Sequence, residues 1–302
     1  MGKRAFLFPG QGAQFVGMGR TLHDALPEAR AIFEKSDDIL GFSLSKICFE
    51  GPEAELNSTV ISQPAIFVTS LAALEFLRVT QPEVVENCSA TAGLSLGEYA
   101  ALVLAGVMDF SDALRVVQLR GKVMQAAADA TPSGMVSLLG LEEAGVRELC
   151  DKVRGENILE IANYLCPANI VVSGEKPACE RLLEEISRTG AARGVLLNVA
   201  GAFHTKIMRP ADERLAEALA GVPMHAPRMT ILSNVDASAH TAPEEIRKLL
   251  VQQLLSPVKW EASMRNLMTE GYDDFYEIGP GRVLRGLLKR IERKISCGGV
   301  EV

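Results

Sequence analysis

The feature that most constrains how this 302-residue chain can fold is Gly93-Leu94-Ser95-Leu96-Gly97, a G-x-S-x-G pattern between an apolar run and a helix-forming one. It reads as a nucleophile elbow: a strand turns sharply into a helix, the glycines let the two arms approach, and the serine hydroxyl projects from the tip. The N–H of the next residue, Leu96, then faces the same place, so adjacent residues supply an attacking oxygen and one oxyanion donor. Val84 to Gly93 reads as the incoming strand, and Gly97 to Gly106 as the outgoing helix, closed by a glycine.

Around this element the chain reads as an α/β protein. Arg4 to Phe8 is a short apolar strand leaving through the loop Pro9-Gly10-Gln11-Gly12-Ala13-Gln14. A dinucleotide fingerprint starting at Gly10 fails, because Phe15 stands where its third glycine belongs. Such a loop can still bring backbone amides to a ligand, which makes Gln11 an oxyanion-hole candidate. Helices are expected over Met18 to Leu26, Pro27 to Leu40 and Ser62 to Val79.

From Ser111 to Ala128 an apolar stripe at helical spacing contains Arg120. The guanidinium either snorkels outward or is a buried cation awaiting a ligand carboxylate, since stranding it unpaired costs several kcal/mol. Residues 131–199 then run β-α-β-β-α-β, the order of a ferredoxin-like unit. The expected division is a large domain of 1–130 and 200–302 and an inserted small subdomain of 131–199. In the returning part, strands are expected at Met229 to Asn234 and Asp274 to Ile278, and a last helix from Gly281 to Ile295.

Composition narrows the function classes. A hydrophobic content of 48% suits a large core, and there is no uninterrupted apolar run of the length a membrane span needs. Cytoplasmic location, a monomer and no membrane partner are the expectations. The scattered Cys48, Cys88, Cys150, Cys166, Cys179 and Cys297 form no metal-like spacing, so reduced structural thiols and no metal are expected. A net charge of −7 argues against nucleic acid.

A serine needs a neighbouring base, and histidine has the suitable pKa. Of the four histidines, His23, His225 and His240 lie in polar or proline-flanked segments, whereas His204 follows an apolar strand in Gly201-Ala202-Phe203-His204-Thr205. His204 is therefore the expected base. No acid stands out to orient it; Asp109 and Asp112 suit helix capping, and Glu98 lies within the elbow helix. A backbone carbonyl could hold the imidazole instead, giving a serine–histidine dyad.

Taken together, the segments Pro9 to Gln14, Gly93 to Tyr99, Gln118 to Gly121 with Met124-Gln125, Gly201 to His204, Gln253 to Trp260 and Glu277 to Gly281 resemble the malonyl-CoA:acyl carrier protein transacylases along essentially the whole chain. The resemblance implies an α/β-hydrolase-like large domain with a ferredoxin-like insertion. It implies a malonyl group moved from malonyl-CoA to acyl carrier protein through Ser95, with malonyl-CoA as substrate and no cofactor. His204 would be the base, Arg120 the carboxylate ligand, the amides of Gln11 and Leu96 the oxyanion hole, and the Gln253 carbonyl the histidine's orienter. Phe203 and Asn163 would contact substrate; Phe203 matches malonyl-selective members. The chain departs from the usual pattern at Leu94, where histidine is common, at Leu165, where asparagine is frequent, and at Asn169, where glutamine is frequent. A polyketide acyltransferase acting in trans, a serine thioesterase or hydrolase, and a non-catalytic carrier-binding module are the alternatives.

Overall fold

The computed structural model describes residues 2–302. These form nine strands: β1 (Lys3–Phe8), β2 (Cys88–Gly93), β3 (Ser133–Leu139), β4 (Leu159–Cys166), β5 (Asn169–Glu175), β6 (Arg193–Leu196), β7 (Thr230–Ile231), β8 (Tyr272–Glu277) and β9 (Ser296–Gly299). The large sheet has the order β7-β2-β1-β8-β9, and all of its pairings are parallel. Ala5 to Phe8 at its centre are fully buried, as expected of a strand covered on both faces. From β1 the chain winds outward through β2 and β7 on one side, and later through β8 and β9 on the other. The winding direction therefore reverses at β1 and β8, and β1 and β2 end side by side at the carboxyl edge of the sheet, Phe8 opposite Gly93. The glycine-rich loop and the serine elbow both leave that edge of the sheet.

The small sheet is antiparallel, with the order β4-β5-β3-β6. The helices Glu143–Val153 and Lys176–Thr189 close its apolar face through Val146, Leu149, Leu182 and Ile186. This is the ferredoxin-like order expected from β-α-β-β-α-β. At β4 the sheet also reaches the other domain: Tyr164 N–H donates to Val258 O at 2.9 Å and Val258 N–H to Ala162 O at 2.8 Å. That pair fixes the chain just downstream of Gln253.

Several boundaries differ from the sequence reading. Val84 belongs to a short helix, Pro82–Glu86, because Pro82 pre-sets a first helical turn, and the strand begins only at Cys88. The strand expected at Met229 to Asn234 shrinks to two residues. The last helix is Val283–Ile291, followed by β9, whose Ser-Cys-Gly-Gly sequence carries little strand propensity of its own. The helix Thr59–Thr80 is long and apolar enough to cross a membrane, but 78% of its most apolar window is buried inside the protein. It packs against the helices Pro27–Leu40 and Phe110–Ala130.

Candidate active site

The two glycines of the elbow are required for close approach. A Cβ on Gly97 would lie 2.1 Å from Phe8 O, and one on Gly93 1.9 Å from Gly97 C. The left-handed conformation falls on Ser95 itself, at φ 52°. For a non-glycine residue that costs roughly 1–2 kcal/mol, so neighbours must hold it. They are side chains. Ser95 N–H donates to Asn234 Oδ1 at 2.6 Å, and Ser95 O accepts from Gln253 Nε2 at 3.1 Å. Asn234 Nδ2 also donates to Gly93 O at 2.7 Å.

The loop after β1 lies directly on this turn. Leu94 N–H donates to Phe8 O at 3.0 Å, and a Cβ on Gly10 would be 2.4 Å from Leu94 O. Gln11 follows at once, its side-chain amide 3.4 Å from Thr59 Oγ1. Leu96 is buried beside Ser95 and immediately precedes the helix Gly97–Leu104, so its N–H is one of the amides that a helix start leaves without an intrahelical acceptor.

His204 meets the elbow from a distant segment. Its Nε2 is 2.9 Å from Ser95 Oγ, and its Nδ1 is 2.8 Å from Gln253 O. A carbonyl only accepts, so Nδ1 carries the proton and Nε2 is left as the acceptor for the serine hydroxyl. The residue sits in an irregular loop beyond β6, at φ 63°, and not at the strand end that the sequence suggested. Burial, with the Arg120 charge second, holds the imidazole down to about 4, against the opposing hydrogen bond to Gln253. It is neutral at physiological pH, the state a base requires.

Arg120 is buried, at 1% exposure, and does not snorkel. Its Nη1 donates to Gln63 Oε1 at 2.7 Å, and its Nη2 to Gln253 Oε1 at 3.0 Å and Ser95 Oγ at 3.1 Å. The Tyr99 ring lies under the guanidinium, with its centroid 5.7 Å away. None of those hydrogen-bond partners is anionic. Burial pulls the guanidinium below its ordinary value, opposed by Tyr99 and Glu98. A buried cation held by neutral groups and touching the serine hydroxyl can take a carboxylate there.

The sequence reading missed Gln63, Asn234 and the roles of the Glu98 carboxylate and the Gln253 side chain. Gln63 carried one signal, a polar residue in the alanine- and leucine-rich helix. Asn234, read as the last residue of a strand, lies instead in a turn beyond β7. Phe203 is buried in the main apolar core, and Asn163 lies in β4 opposite Val258. Neither hydrogen-bonds to Ser95. Beside His204 a cleft of 380 Å³ is lined from one side by Arg147 and Ile161 and from the other by Leu255 and Pro257.

An acyl transferase domain matches residues 5–295. A malonyl CoA-acyl carrier protein transacylase of Bacillus subtilis is 41% identical over 299 residues, covering 98% of this chain and 92% of its own. The chain belongs to the malonyl-CoA:acyl carrier protein transacylase family. A crystal structure of the acyl-carrier-protein S-malonyltransferase of Bartonella henselae superimposes with a TM-score of 0.95 at 39% identity, covering 100% of this chain and 96% of that one. A malonyl-transacylase in complex with its type II polyketide acyl carrier protein aligns with a TM-score of 0.93 at 39% identity, covering 99% and 96%. Within this transacylase family, the chain's departures have a packing account. Leu94 and Leu165 are half-buried against one apolar cluster that includes Val258 and Trp260. Asn169 is buried and accepts from Ser137 Oγ at 3.0 Å, inside the small sheet.

Proposed function

We propose that this acyltransferase moves a malonyl group from malonyl-CoA to the pantetheine thiol of acyl carrier protein, supplying fatty acid synthesis. The observation that carries the reading is Arg120: a buried guanidinium with neutral partners, 3.1 Å from the Ser95 hydroxyl. Ser95 Oγ attacks the thioester carbon while its proton passes to His204 Nε2. The carbonyl oxygen becomes an oxyanion met by the amides of Gln11 and Leu96. The C–S bond breaks, the CoA sulfur leaves with the proton from His204, and a malonyl-serine ester remains. In the second half the carrier thiol gives its proton to His204 and attacks the ester, and Ser95 leaves and is reprotonated. Losing one oxyanion donor costs about 2.7–4 kcal/mol in comparable sites, so the main-chain amides should matter as much as the base.

Arg120 holds the malonyl carboxylate in both halves, which makes the charge of the acyl group the basis of selectivity. The chain itself supplies nucleophile, base and oxyanion donors, so the reaction calls for no cofactor. In this reading 131–199 is the small subdomain, 1–130 with 200–302 is the large one, and the thioester arm enters by the cleft between them. Phe203 and Asn163 would act by shaping that entry. The protein acts as a cytoplasmic monomer. An acidic carrier would meet local cations, of which Arg193 and Arg209 are exposed, whereas Arg188 pairs with Glu185 at 2.8 Å and Lys206 with Glu160 at 3.2 Å.

The test is a panel of malonyl-, methylmalonyl-, acetyl- and butyryl-CoA with carrier proteins from fatty acid and polyketide systems, followed by intact mass of the enzyme. Malonyl transfer to the fatty acid carrier through an adduct on Ser95 is expected. Preferential transfer of an uncharged acyl group, or hydrolysis without thiol transfer, would overturn the reading.

A further inference from the structure

We infer that Glu98 is a positioning residue for the transfer reaction: it holds the Gln253 side chain and the Asn234 main chain, the two residues whose side chains clamp the main chain of Ser95 on either side. Glu98 is 2% exposed in the first turn of the elbow helix, a place that favours a carboxylate. One of its oxygens, Oε2, accepts from Gln253 Nε2 at 2.7 Å and from Asn234 N–H at 3.2 Å. Those two residues hold Ser95 from opposite sides. Gln253 Nε2 also donates to Ser95 O, and Asn234 Oδ1 accepts from Ser95 N–H. The nucleophile's left-handed turn thus closes through a single oxygen atom.

The same contact orders the rest of the site. Gln253 Nε2 faces two groups that accept, Glu98 Oε2 and Ser95 O, while its Oε1 faces only a donor, Arg120 Nη2. The amide therefore has one satisfiable orientation, and Glu98 supplies its shortest contact. Turning the amide over would set Oε1 against a carboxylate and leave the guanidinium facing an NH2 group, a cost in a buried site. The main-chain carbonyl of this same glutamine holds His204 Nδ1. Nucleophile, base and carboxylate-binding arginine are all referred to Glu98 at one remove, although it touches no reacting atom.

Reach and an acceptor oxygen are what this role demands. Charge is not, because burial pushes the carboxyl up to about 7 and Oε2 accepts its two donors in either protonation state. That separates positioning from plain electrostatics and from packing. Glutamine keeps the length and one acceptor oxygen. Aspartate keeps the charge but withdraws the oxygens by about 1.5 Å, one C–C bond.

The inference rests on Ser95 being the acylated residue, so the test uses phenylmethylsulfonyl fluoride, a neutral reagent that reports serine–histidine reactivity without Arg120 or malonyl recognition. Labelling of the wild-type protein is first located by peptide mass; absence of label at Ser95 would overturn the functional reading itself. With that label in place, Glu98→Asp is expected to slow labelling, and kcat for malonyl transfer in parallel, by roughly 10²-fold, the order of loss for a 1 Å misplacement. Glu98→Gln should stay within a few-fold of wild type. Both are checked for native near-ultraviolet dichroism and thermal unfolding. Glu98→Asp at the wild-type rate, or Glu98→Gln as slow as Glu98→Asp, would overturn the inference. Should Glu98→Asp fail to fold, the rate of Glu98→Gln still decides.

Discussion

Ser95 and His204 meet at 2.9 Å, and both are non-glycine residues at positive φ, 52° and 63°. They reach that state by opposite routes. Ser95 is placed by its own neighbourhood, a strand, two glycines and a helix start within a few residues, and side chains then lock its main chain. His204 lies in an irregular loop, and what turns its ring is a carbonyl 49 residues away in the chain, at the end of the helix Pro243–Gln253. The nucleophile's turn is laid out locally and then braced from 139 and 158 residues away. A base needs only a correctly aimed ring, which any well-placed acceptor can provide.

The largest effect should come from removing the locally encoded partner. Ser95→Ala is expected to leave the fold intact and to lower kcat by roughly 10⁴-fold or more, with no malonyl adduct by intact mass. A stable adduct on the variant would move the nucleophile elsewhere and dissolve the comparison. Next comes the cation that touches the serine. Arg120→Ala should lower the ratio of malonyl to acetyl transfer by up to roughly 10⁴, because the site was built around a charge that acetyl lacks. Equal losses on both substrates would reassign Arg120 to holding Ser95 and Gln253.

The smallest effect concerns the base. Since native His204 takes up a proton only near 4, malonyl-enzyme formation should stay flat as pH falls through 6.5 and decline near 4. Stability should move in the same window. The unfolded imidazole protonates near 6.5 and the native one does not, so the unfolded state binds more protons and stability falls as pH drops from 6.5 toward 4. Urea unfolding at pH 7 and pH 5 should differ by about 2 kcal/mol more in wild type than in His204→Ala. An equal pH dependence in the two proteins would mean that the ring is solvated and not held dry by its neighbours.

The small sheet and the large one also differ in how readable they were. The order β-α-β-β-α-β and its helices could be read because each element is amphipathic, with a period matching its structure. The helix Lys176–Thr189 has a proline in its first turn and ends at the left-handed Gly190. In the large sheet the edge strands were misjudged. Pairing through β7 and β9 uses only two and four residues, those of β9 weak in strand propensity, and it exists because neighbouring strands offer unpaired edges.

By itself the sequence determined an α/β chain with a strand-to-helix serine turn, an apolar helix face holding Arg120, and a family pattern pointing to His204 and Gln253. All of these are local patterns or matched segments. The tertiary structure alone decided that Arg120 points inward onto the Ser95 hydroxyl, that Gln63 and the Gln253 side chain hold it there, and that Asn234 and Glu98 brace the turn. Those four polar side chains come from separate segments and carry no periodicity. What selects them is the need of each buried donor and acceptor for a partner, a condition that exists only once the chain has folded.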